Sequence, residues 1–289
     1  MNPITDDDGR ELQPHGTYDF PCGCYHTSGG GFPWHWHNEM EMLYVESGVL
    51  IFAVTNQRYT LHPGDGIVVN GNVPHAVYLL HQQHYEENDI VFHPRLLYGG
   101  VDTVLFDKYF RVFLQDAGLG GIPLYCKIDW QRAAAEEIQK ACQACFAKEQ
   151  RYEFVVREAL TNTYLAVWEH TKERLGTESS CSSLRGDRVK GMMRYLETNL
   201  GDAISLEDLS WYAKLSSRAC QREFQAYLGI TPSQYLGQVR LSRAAELLRS
   251  GAHTITEVCY QCGFHDSSYF AKQFRLRYGV SPREYQQKR

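Results

Sequence analysis

Residues 216–235 read SSRACQREFQAYLGITPSQY, and residues 266–285 read DSSYFAKQFRLRYGVSPREY. At this offset Phe224 matches Phe274, Gly229 matches Gly279, Ile230-Thr231-Pro232 matches Val280-Ser281-Pro282, and Tyr235 matches Tyr285. Upstream, with a slip of one residue, Leu206, Leu209, Ala213 and Leu215 fall on Ile255, Val258, Cys262 and Phe264. The C-terminal third therefore contains two copies of one supersecondary unit.

Each copy reads as helix, tight turn, helix. Ser205 is a good N-cap, with Asp208 in the place of a capping-box Glu, and Ser216 caps the next helix. On that second helix Cys220 and Phe224 form an apolar pair, while Arg218, Gln221 and Arg222 share the opposite face. In the second copy Asp266 is the cap and Phe270 and Phe274 take the core positions. Ser268, Ala271, Lys272 and Arg275 form the outer row. Gly229 and Gly279 stop their helices, and each following Pro sits where a new helix begins.

This doubled helix-turn-helix, with Gly263-Phe264 before the second recognition helix and Gly279-Val280-Ser281-Pro282 and Tyr285 at its close, resembles the AraC/XylS family of bacterial transcription regulators. The resemblance covers roughly residues 186 to 287. It implies a long helix joining the two units, for which Pro232 to Leu248 has the length and periodicity. It also implies two recognition helices entering successive major-groove segments on one side of the duplex.

Charge agrees independently. Residues 185–289 carry 16 Lys+Arg against 10 Asp+Glu, a net +6, while the rest of the chain nets −11, so only one module suits phosphate. Arg218, Gln221 and Arg222 in the first unit can bond guanine or adenine bidentately. Ser268, Tyr269, Lys272 and Arg275 are the corresponding set in the second, some of them for phosphate alone.

From Tyr18 to about Val91 the pattern changes to short runs rich in Tyr, Val, Ile and Phe, punctuated by Gly29-Gly30-Gly31, Pro63-Gly64-Asp65-Gly66 and Asn70-Gly71-Asn72. An antiparallel barrel is expected. Within it His35-x-His37-x-x-x-Glu41 and Pro63-Gly64-Asp65 followed by Pro74-His75 resemble the two cupin motifs, although Asn70, Asn72 and Leu79 depart from the second. The residues that hold metal in cupin enzymes would be His35, His37, Glu41 and His75. Alternate strand positions share a face, so His35 and His37 can both point inward. In regulators of this type the same residues often line an effector pocket. The resemblance thus leaves effector contact, a bound divalent metal and a structural role all open, and no cofactor is assigned. Trp34 and Trp36 are added as flat faces for a sugar ring, a carbohydrate being the effector that the family implies.

Helical periodicity returns from Trp130 to Leu175 in two segments broken near Lys148 to Tyr152, a region the family uses for dimerisation. Gly176 to Gly186 reads as a linker. Of nine cysteines, Cys142-x-x-Cys145 and Cys259-x-x-Cys262 fall at core-facing helical positions and read as small buried hydrophobes. Cys22 and Cys24, in an irregular stretch, stay open. The polar start of the chain and the lack of a long apolar run point to the cytoplasm and away from membranes.

The expected architecture is multidomain α+β. A cupin-like antiparallel β-barrel occupies 1–128, a helical dimerisation segment 129–175, a linker 176–186, and an all-α double helix-turn-helix domain 187–289. The expected function is a dimeric, effector-controlled regulator of promoter DNA, an activator that would contact RNA polymerase, and not an enzyme. The rival reading is a metal-dependent cupin enzyme or metal sensor fused to a DNA-binding domain.

Overall fold

The computed structural model describes residues 15–17, 19–80, 84–116, 119–175 and 181–287. Tyr18, His81 and the 176–180 part of the expected linker lie outside the described residues.

Among the described residues, nine strands build the N-terminal half: β1 (Cys22–Ser28), β2 (Phe32–His35), β3 (Met40–Ser47), β4 (Leu50–Val54), β5 (Gln57–Leu61), β6 (Gly66–Val69), β7 (His75–Leu79), β8 (Glu86–Phe92) and β9 (Gly121–Leu124). They form two antiparallel sheets, ordered β1-β8-β3-β6-β9 and β2-β7-β4-β5. Between the sheets lie Leu43, Val45, Leu50, Phe52, Val54 and Ile67. β3 packs on both faces, and strand alternation divides its apolar residues between them: Leu43 and Val45 fill the interior, while Met40 and Met42 face outward onto helices.

Two short helices, α1 (Arg95–Tyr98) and α2 (Arg111–Gln115), lead to a long pair, α3 (Asp129–Ala147) and α4 (Tyr152–Thr171). Lys148 (φ 48°) and Arg151 (φ 74°), both in the left-handed region, make the break between the long helices where the sequence pattern lapses. α3 packs on the outer face of the five-stranded sheet, joining its core to Ile90 and Phe92 of β8. Tyr164 of α4 anchors the turn that leads into α2, stacking on Phe110 at a centroid distance of 4.1 Å and donating its hydroxyl to the Tyr109 carbonyl at 2.9 Å.

The C-terminal domain comprises α5 (Cys181–Thr198), α6 (Leu206–Ala213), α7 (Ser217–Leu228), α8 (Pro232–Ser250), α9 (Ile255–Gln261), α10 (Ser267–Tyr278) and α11 (Pro282–Gln287). Helix α5 begins well before Val189 and takes in part of the expected linker. α6–α7 and α9–α10 are the two helix-turn-helix units, joined by α8. The caps form as the sequence requires. Asp208 N–H donates to Ser205 Oγ at 3.1 Å and Ser205 N–H to Asp208 Oδ2 at 2.9 Å, closing a full capping box with Asp in place of Glu. Gly263 (φ +71°) must remain glycine: a Cβ there would lie 2.5 Å from the Leu200 carbonyl oxygen, against which α8 also fixes Arg240 Nε at 2.7 Å.

The outer face of the four-stranded sheet does not face solvent. Trp34, Ala53 and Ala76 join Val189, Met192, Phe224 and Leu228 of the first helix-turn-helix region in one apolar core.

Candidate functional site

Two sites emerge, one inside the barrel and one on the helices. A register irregularity in β2 lies between Phe32, opposite Val77, and His35, opposite His75. Such a bulge re-aims side chains, and here it turns His35 into the interior beside His75, their ring centroids 4.1 Å apart. His37 follows two residues on and Glu41 enters from β3. One ligand atom from each of His35, His37, Glu41 and His75 lies within 4.8 Å of the others, and all four residues are buried.

The tautomers follow from the backbone. Nδ1 of His35, His37 and His75 lies 3.0, 3.0 and 2.8 Å from the carbonyl oxygens of Pro33, Glu39 and Val73. A carbonyl only accepts, so each Nδ1 carries the proton and each Nε2 is directed to the centre. There the Nε2 atoms of His37 and His75 lie 3.2 and 3.0 Å from Glu41 Oε2. Burial alone would raise the Glu41 carboxyl, but the His75 ring and the hydrogen bonds from His37 and His75 hold it well below the usual carboxylate range. Burial, then the neighbouring His75 and His37, pulls His35 well below the ordinary imidazole value. Lone pairs and a carboxylate converging in one buried space require a cation, either protons on the rings or a divalent metal. Nδ1–H bonds to backbone carbonyls are also the arrangement that orients ligating histidines. The residues therefore fit a metal.

Strand register adds residues that the sequence did not single out. Leu43 is paired with Asp89 and Val45 with Glu87, so both acids face the interior on the same side of the sheet as Glu41. Glu87 is buried, and its Oε2 has no hydrogen-bond partner among the described residues. Burial, then Asp89 and Glu41, keeps its carboxyl protonated well above the ordinary range. Tyr25, opposite Asp89 on β1, completes this wall and approaches His15 Nδ1 at 3.0 Å. Only the pairing of distant strands reveals this row.

Trp34 and Trp36 are corrected here: they do not share the pocket. The alternation that sends His35 and His37 inward sends the tryptophans out against the C-terminal domain. Trp34 is 3% exposed beneath the Arg58 guanidinium at 5.3 Å, and Lys190 of α5 lies 4.6 Å over Trp36. Tyr78 of β7, on the same outer face, donates to Gln238 of α8 at 3.3 Å, and Arg58 donates to the Leu228 carbonyl at 2.8 Å.

On the helices, α7 buries Cys220, Phe224 and Leu228 and exposes Arg218, Gln221 and Arg222. α10 buries Phe270 and Phe274 and exposes Ser268, Tyr269, Lys272 and Arg275. Every named candidate thus lies on the solvent side of the second helix of its unit. Two further aromatics were missed. Trp211 on α6 and Tyr260 on α9 are 86% and 57% exposed, and the one-residue slip between the copies makes them equivalent positions.

The helix-turn-helix domain family matches residues 209–288, over both units, and the cupin domain family matches residues 24–84, from within β1 to beyond β7. An uncharacterized HTH-type transcriptional regulator, YdeC of Bacillus subtilis (strain 168), is 25% identical over 98% of this chain and 98% of its own length. The HTH-type transcriptional activator RhaS of Enterobacter sp. (strain 638) is 28% identical over 89% of this chain and 88% of its own. The chain belongs to the AraC/XylS family. As a member it is a DNA-binding transcription regulator and not an enzyme, in keeping with the names of those relatives. ToxT of Vibrio cholerae O395 also resembles it, with a TM-score of 0.48 and 13% identity over 92% of this chain and 96% of that one. Among the described residues of this AraC/XylS regulator, no helix is long and apolar enough to cross a membrane.

Proposed function

We propose that this chain is a cytoplasmic one-component activator in which a polar small molecule, a carbohydrate, enters the barrel and changes how the C-terminal domain engages promoter DNA. The observation that carries the reading is the two-faced construction of β2 and β7. His35 and His75 line the pocket, while Trp34, Ala76 and Tyr78 on the other face of the same strands hold the DNA-binding domain. A ligand that shifts either strand changes both, provided it binds two arrangements with different affinity. The histidines, Glu41, the protonated Glu87 and Tyr25 offer donors and acceptors suited to hydroxyl groups. Activation, and with it contact to RNA polymerase, follows the name of the RhaS relative.

The functional division is a sensor barrel over 1–128, helices over 129–175, a connection within 176–186 and a DNA-binding domain over 187–289. Homodimerisation through α4 is favoured by Phe154 and Leu165. They lie about three turns apart on one side of the helix and remain 74% and 42% exposed.

A second reading rests on the histidine tautomers: His35, His37, Glu41 and His75 would hold a divalent metal, which would supply a Lewis-acid anchor for an oxygen-bearing effector. Thermal unfolding of the full chain against mono- and disaccharides, divalent metals and chelator separates the readings. Stabilisation by one sugar, about 2.7 kcal/mol at a hundredfold excess over its Kd, is expected, with loss of the effect in His37→Ala and Glu41→Gln. Stabilisation by metal alone, reversed by chelator, would install the metal sensor instead. Indifference to every compound would remove both readings.

A further inference from the structure

The barrel interior is rich in carboxyl groups and poor in cations. Among the described residues, the nine strands contain a single lysine or arginine, Arg58 of β5, and it lies on the outer face over Trp34. Carboxyl groups are placed differently. The alternation that turns Leu43 and Val45 inward also turns Glu41 inward, and the register of β8 sets Asp89 opposite Leu43 and Glu87 opposite Val45. Glu41 is met by His37 and His75 at 3.2 and 3.0 Å. Glu87 and Asp89, two residues and roughly 7 Å apart along β8, form a separate acidic pair on the same wall.

Glu87 carries the stronger signal. It is 3% exposed between Val45 of β3 and Thr27 of β1, and its Oε2 has no hydrogen-bond partner among the described residues. The hydroxyl of Tyr85, two residues earlier and wholly buried in the interior core, likewise has none. A buried polar group left unpaired is costly, so two of them on one short stretch call for a partner from outside the chain. Burial, then Asp89 and Glu41, keeps the Glu87 carboxyl protonated, and a proton thus stands in the place of a cation.

Tyr25 joins this wall to the histidines. It stands opposite Asp89 on β1, and its ring lies along the inner face over Gly23, where a Cβ would meet its Oη at 2.6 Å. The same oxygen is 3.0 Å from His15 Nδ1, and the His15 ring is 5.3 Å from that of His37. The interior therefore has two connected ends. Glu87, Asp89 and Tyr25 make an end of acceptors, and His35, His37, Glu41 and His75 make the other.

Resting on the reading of the barrel as a carbohydrate sensor, we propose that its effector is an amino sugar, a hexose with a free protonated primary amine, whose nitrogen is received by Glu87 and Asp89. A primary ammonium has three donors and no acceptor, which matches two carboxylates and the Tyr25 oxygen. The sugar hydroxyls are left for the histidine end. As the ammonium arrives the Glu87 proton leaves to solvent, so one positive charge replaces another and no electron moves. The resulting bonds are charge-assisted, the strong class for a buried site. A neutral sugar leaves the acids without a counter-charge, and an anionic effector meets like charge, so this wall selects by charge as well as shape.

The test is isothermal titration calorimetry of the full chain with glucosamine, galactosamine and mannosamine, each beside its parent hexose and its N-acetyl derivative, which keeps the nitrogen but not the charge. One amine is expected to bind at least about thirtyfold more tightly than either neutral counterpart, the scale of a buried charge pair. That preference should disappear in Glu87→Gln. Because the native carboxyl is protonated, the amide matches it in shape and charge, and an unchanged thermal midpoint checks the fold. A parent hexose or N-acetyl sugar that binds as tightly as its amine would overturn the amine and leave the carbohydrate reading standing. So would binding by none of these sugars while another, neutral sugar stabilises the chain against heat. Cyclohexylamine that binds as tightly as the best amino sugar would overturn both, since the sugar ring would then contribute nothing. An amine preference that survives Glu87→Gln would overturn the assignment to this wall.

Discussion

Phe274→Ala is expected to cost about 3–5 kcal/mol and to melt the second helix-turn-helix unit apart from the rest of the chain. The Phe274 ring is fully buried among Phe270, Tyr278 and Tyr285, with centroid distances of 5.7, 4.6 and 5.3 Å. Its cluster draws on α8, α9 and α10 and contains no barrel residue. The equivalent Phe224 belongs instead to a core shared with Trp34, Ala53 and Ala76 of the barrel. Calorimetry distinguishes the two. Phe274→Ala should add an early, separate transition and leave the barrel transition in place, whereas Phe224→Ala should lower both. A uniform shift of one transition in Phe274→Ala would show that the second unit is not an independent packing module.

The second large effect concerns DNA. Arg222→Ala is expected to weaken binding to the specific duplex by about 1–3 kcal/mol and to relax base preference at one position, as for a guanidinium that reads a guanine edge. Arg222 is exposed on α7, opposite the buried Phe224, so the substitution opens no cavity and leaves stability near wild type. Fluorescence anisotropy on cognate and scrambled duplexes over a range of salt checks this. An equal loss on both, with a shallower salt dependence, would reassign Arg222 to phosphate.

Much of this was legible in the residues because its causes are local. The doubled unit is written in caps and stops: Ser205, Ser216, Thr231, Thr254 and Asp266 each accept a backbone N–H in the first turn. Gly229 and Gly279 close their helices at φ 69° and 74°. The break between α3 and α4 was likewise visible as a lapse in periodicity. Asp208 makes both bonds of its capping box despite being shorter than Glu.

Features that depend on two distant segments were less legible. The Trp34-His35-Trp36-His37 run contained its own answer, because period-2 alternation cannot send both residue types to one side. The attraction of aromatic faces for a sugar overrode that rule, and no sequence pattern announces that a barrel's outer face is covered by another domain. Glu87 and Asp89 become pocket residues only once β8 is registered against β3.

The most direct measurement of the central claim is selection of duplexes from a random pool by the full-length protein, followed by sequencing. The expected result is a bipartite motif whose two conserved blocks are centred about one helical turn, roughly 10 base pairs, apart on one face of the DNA, one block for α7 and one for α10. A single compact block, or no enrichment over input, would contradict the reading of residues 187–289 as two recognition helices acting together.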